Sequence, residues 1–176
     1  MQLKEIITAI PVHFSPQSRV WIYAADRELT AQESALAKNK MQAFVHSWTA
    51  HGAVVQGMGT VLFNRFLILV ADETLTRVSG CSTDSSVHMM QDLQSEIGID
   101  LFNRTLLSFY QEGGIFHLSM SQLPQAIRRG TVQAGTYFFD HTTASKEAFE
   151  NRWLLPVNES WLAQRFPELR EEVSGY

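Results

Sequence analysis

Apolar residues return along this chain in two rhythms, every second position in some stretches and every third or fourth in others, and each rhythm predicts its own element. Val20-Trp21-Ile22-Tyr23-Ala24-Ala25 is rich in β-branched and aromatic residues and predicts a strand. Thr30 followed by Glu33 forms a capping box. Leu36, Met41, Phe44, Val45 and Trp48 then recur at helical spacing, and Gly52 stands where the helix would end. Two apolar runs follow, Val54 to Phe63 and Phe66 to Ala71, with Asn64-Arg65 as a tight hairpin between them. Beyond a loop, Val87, Met90, Leu93 and Ile97 make the apolar face of a second helix. Ser82 or Thr83 is its expected N-cap, with Asp84 in its first turn. Gly98 closes it, and Ile99 supplies the apolar contact of a Schellman motif. Strands at Thr105 to Tyr110 and Ile115 to Ser119 are joined through Gln111-Glu112-Gly113-Gly114.

That order is β-α-β-β-α-β, so the expected fold is α+β, with a ferredoxin-like core over about 18–120. The stretch 121–176 reads as a C-terminal, largely helical decoration on the same single domain. It holds a short helix from Gln122 to Arg129, a strand from Thr136 to Phe139 and a helix from Ala144 to Arg152. Trp153-Leu154-Leu155-Pro156 and Trp161-Leu162 are expected to pin this tail to the body. In the ferredoxin-like order, the end of helix one, the end of strand three and the start of helix two share one edge. His46, His51, Asp72, Glu73, Cys81, Ser82, Asp84 and Ser85 would meet there.

Composition narrows the function. The chain of 176 residues has a net charge of -4 and a pI of about 5.8, which argues against nucleic acid as the main partner. A single cysteine allows no internal disulfide and fits a reducing compartment. Met1 to Ile7 carries an acid and no long apolar run, so it does not read as a signal peptide. The longest apolar run, Phe66 to Ala71, is too short to span a bilayer. A cytoplasmic protein with no membrane insertion is the expectation. Cys-x2-Cys zinc sites are excluded by the lone cysteine, and neither a metal nor a cofactor is expected. Gly57-Met58-Gly59 lacks the third glycine and following helix of a dinucleotide fingerprint.

The segment Gly80-Cys81-Ser82-Thr83-Asp84-Ser85-Ser86 carries the candidate chemistry. Backbone N–H groups and small hydroxyls at a helix start can cradle phosphate, sulfate or carboxylate, and Gly80 admits a close approach. Gly80, Ser82, Thr83, Asp84 and Ser85 are therefore the expected ligand-binding residues for a small anion. Ordinary helix capping is the competing structural account of the same hydroxyls. Cys81 at the helix start is a candidate nucleophile, with His51 as its base and Asp72 or Asp84 orienting the imidazole. Against this stand a buried structural cysteine and a histidine that only complements a helix dipole. Three readings result: an anion-binding module, a thiol-dependent enzyme, and a structural or interaction protein.

Several stretches resemble one family. They are Ser18-Arg19-Val20-Trp21-Ile22-Tyr23, Trp48-Thr49-Ala50-His51-Gly52, and Arg65-Phe66-Leu67-Ile68 with Asp72. Gly80 to Val87, Trp153-Leu154-Leu155-Pro156 and Ser160-Trp161 belong with them. Together they are similar to a family of small, uncharacterised bacterial proteins often labelled "ABC transporter ATPase". The label implies a P-loop, which needs Gly-x4-Gly-Lys-Ser/Thr to hold phosphates. No Gly-Lys pair occurs anywhere in the chain, so P-loop ATP hydrolysis is not expected.

Overall fold

A computed structural model describes residues 9–170, and the Met1 to Ile7 stretch lies outside the described residues. The chain divides into two units, Met1–Asn103 with Ala144–Glu150, and Arg104–Thr143 with Asn151–Tyr176. Helices and antiparallel sheets occur together, so the fold is mixed α and β.

The first unit holds β1 (Arg19–Ala24), α1 (Ala31–Ser47), β2 (Thr49–Ala50), β3 (Ala53–Val54), β4 (Gln56–Leu62), β5 (Phe66–Asp72) and α2 (Gly80–Ile97). Its main sheet has the order β1-β5-β4, antiparallel throughout. β5 is buried at every position, which is why Phe66 to Ala71 reads as an unbroken apolar run rather than an alternating one. Tyr23, Leu67 and Leu69 from the sheet, Met41 from α1 and Met90 and Leu93 from α2 share one core. The capping box of α1 forms as expected: Glu33 N–H donates to Thr30 Oγ1, and Thr30 N–H donates to Glu33 Oε2. The hairpin between β4 and β5 turns over the expected Asn64 and Arg65 and begins one residue earlier, at Phe63, with Phe63 and Asn64 at positive φ. β1 is covered on its far edge by the segment Ala144–Lys146, through Val20 N–H to Ala144 O at 3.0 Å and Lys146 N–H to Ser18 O at 2.8 Å.

The second unit is built on β6 (Leu106–Gln111), β7 (Gly114–Ser119), β8 (Tyr137–Phe139) and β9 (Leu154–Pro156), in the order β7-β6-β8-β9. The short helices α3 (Leu123–Arg128) and α5 (Trp161–Arg165) supply Leu123 and Leu162 to a core around Phe109 and Phe138. The helix α4 (Lys146–Arg152) lies in sequence between β8 and β9.

The strands expected in a single ferredoxin-like sheet are divided between two sheets, and β2 and β3 pair as a separate two-stranded one. The reason is valence. A strand has two edges, and β6 uses both within its own unit, on β7 and on β8. Nothing remains for pairing with β1 or β4. The stretch expected to decorate the core instead supplies half of the second sheet, β8 and β9.

Candidate functional site

α2 begins earlier than expected. Ser79, not Ser82 or Thr83, is the N-cap, and Gly80 and Cys81 are the first two helical residues. A second capping box closes this end. Ser82 N–H donates to Ser79 Oγ at 3.2 Å, and Ser79 N–H donates to Ser82 Oγ at 2.7 Å. Thr83 N–H reaches Ser79 O at 2.9 Å. Two first-turn donors are left, the N–H groups of Gly80 and Cys81, which no acceptor meets among the described residues.

Of the hydroxyls expected to meet a ligand, Ser82 is buried, Thr83 is half-buried and Ser85 is exposed. Ser82 and Ser86 are buried, one helical turn apart, on the face that continues through Met90 and Leu93. Ser82 Oγ bonds back to Ser79 O at 3.0 Å and Ser86 Oγ to Thr83 O at 2.7 Å. Thr83 Oγ1 donates to Ser79 O at 3.0 Å and Ser85 Oγ to Cys81 O at 2.7 Å. A buried hydroxyl needs a partner, and the carbonyl a turn earlier is the nearest one. Asp84 is exposed and lies beyond the first turn, which contains no acidic residue. Competition between Asp84 and an anion for the first-turn donors, a consequence of the expected helix start, is thereby removed.

Cys81 is exposed. His51 is exposed too, but it stands in the turn between β2 and β3 at φ 52, not in the last turn of α1. That last turn holds His46, and Gly52 follows His51 in the turn at φ 81 instead of closing the helix. The ends of the two helices do meet. Trp48, the C-cap of α1, donates its indole N–H to Ser82 O at 2.9 Å in a buried contact. Among the described residues neither Cys81 Sγ nor the His51 ring makes a hydrogen bond. His46 and His51 have a zinc-like separation in sequence, yet no three metal-ligating side chains gather among the described residues.

Asp72 is buried and occupied. It accepts from Ser15 N–H at 3.0 Å, from Thr74 N–H at 3.0 Å and from Thr74 Oγ1 at 2.5 Å. Burial pushes its pKa up, but the Thr74 and Ser15 hydrogen bonds and the nearby His13 outweigh burial and hold it below the usual carboxylate value. Glu73 likewise accepts from Val78 N–H at 2.8 Å and pairs with Arg19 at 3.8 Å. These acids shape the loop that leads into α2, and none of these bonds runs to His51.

Sequence reasoning missed a polar cluster in the second unit. Ser108, fully buried on β6, lies 3.0 Å from His117 Nδ1 and 3.1 Å from His141 Nε2. Trp153 Nε1–H donates to His141 Nδ1 at 3.3 Å. That donor leaves Nδ1 unprotonated, so Nε2–H donates to Ser108 Oγ, which shares a further hydrogen bond with His117 Nδ1. Burial and the charge of His117 push the His141 pKa down to about 3. The register of β6 with β7, which sets Ser108 opposite His117, was the missing signal.

In comparison with known proteins, the chain matches no family model, no curated protein and no solved structure. Among the described residues no helix is long and apolar enough to cross a membrane.

Proposed function

We propose that the protein binds a small anion at the N-terminus of α2, on the backbone N–H groups of Gly80 and Cys81. The observation that carries this reading is the pair of open donors in a first turn that holds no carboxylate. Such donors, reinforced by the dipole of an 18-residue helix, favour negative charge. A methyl group built on Gly80 would meet nothing within 4 Å, so the approach is open. The hydroxyls of Ser82, Thr83 and Ser85 act in this reading by holding the turn, not by touching the ligand. The same reading keeps the chain in the cytoplasm and in the bacterial family it resembles, without the ATPase activity of the label.

The test follows from helix geometry. Proline is well tolerated at the first helical position, and its nitrogen carries no hydrogen. Ser79 has the extended conformation that a residue before proline requires, at φ -86 and ψ 170. Gly80→Pro therefore deletes one anion donor while keeping the helix. Phosphate at a hundredfold excess over its Kd should stabilise the wild type by roughly 2.7 kcal/mol relative to chloride of equal ionic strength. For a chain of this size that is a shift of several degrees, at roughly 2–4 °C per kcal/mol. Gly80→Pro should lose most of the increment and keep only the general salting effect of phosphate. Equal shifts in both proteins would end the anion reading.

A second reading, thiol chemistry at Cys81, is favoured by the exposure of its side chain. Iodoacetamide should alkylate native protein at Cys81 without denaturant, and His51→Ala should slow that reaction if the imidazole serves as base. A rate unaffected by His51→Ala would remove His51 from the mechanism.

A further inference from the structure

We draw no further inference here: the strongest candidate, the groove of about 590 Å³ in the second unit lined by Ile127, Arg128, Arg129 and Phe166, is bounded by Glu168 and Leu169, which lead into residues outside the described ones, so nothing in the structure shows what covers it.

Discussion

Gly59 shows how one atom governs the packing of the first unit. A Cβ at this position would lie 2.5 Å from Met41 Cβ, closer than any two such atoms come. Met41 is fully buried in the middle of α1, so its backbone side cannot swing away. Gly59→Ala must therefore push the helix off the sheet, at a cost of roughly 1–3 kcal/mol. The smaller entropic gain of replacing glycine, about 0.4–1 kcal/mol, does not offset it. Thermal denaturation should show a fall of several degrees in midpoint, at roughly 2–4 °C per kcal/mol, and an unchanged midpoint would refute this account of the contact. A glycine inside a strand pattern marks a close backbone approach. Gly57 and Gly59 were visible in that sense, but the residues that approach, Trp48 and Met41, come from another element. The candidate chemistry divides in the same way. That a cysteine stands near a helix start was legible from Cys81 and the hydroxyls around it. That His51 sits in a hairpin turn, and that Asp72 is engaged by Thr74 and Ser15, depended on chain reversals that side-chain types do not specify.

Among the elements, the two long helices were legible to different degrees at their starts. α1 opens with Thr30 and Glu33, a box whose long carboxylate reaches back unambiguously, and the structure forms it. α2 opens with Ser79 and Ser82, a box made from two short hydroxyls. Glycine is a poor helix former, so Gly80 suggests that the helix begins after it. The reciprocal bonds of Ser79 and Ser82, and the burial of Ser82 beside Trp48, override that preference. The shift of three residues moves Asp84 out of the first turn and turns Ser82 and Ser86 toward the core. The end of α2 needed no such correction. Gly98 adopts φ 72, and both Gly98 N–H and Ile99 N–H return to Gln94 O. β5 was equally plain, because a strand covered on both faces has no polar face to disguise it.

Across the whole molecule, among the described residues, His141 and Asp72 tie stability to pH in the same direction as Glu33, whose pKa the Arg27 and Thr30 hydrogen bonds lower to about 2. His141 has a folded pKa pushed down to about 3 from 6.5. Between those values the unfolded chain binds more protons than the folded one, so stability rises with pH through that window and is complete above it. Asp72 is depressed from 3.8, and its contribution is lost only as pH falls below that ordinary value. The unfolding free energy should therefore begin to fall below about pH 6.5, by at most about 1.4 kcal/mol per pH unit for His141, and the denaturation midpoint with it. His141→Gln does not titrate and should flatten the profile from about pH 6.5 down to about pH 4.5, leaving the Glu33 and Asp72 losses below it; identical profiles would remove His141 from the account. None of this was readable from His141 itself, because its neighbours Ser108, His117 and Trp153 come from two other strands and the residue before β9. What the sequence by itself determined were local matters: the strands β1, β5, β6, β7 and β8, the presence of the two long helices, the capping box of α1, the close of α2 and the mixed α and β class. These depend on spacing and on residues within a turn of one another. Tertiary structure alone decided which strands share a sheet and which hydroxyls face the core. Periodicity says that a segment is a strand with two edges, and only the folded chain says which partner takes each edge.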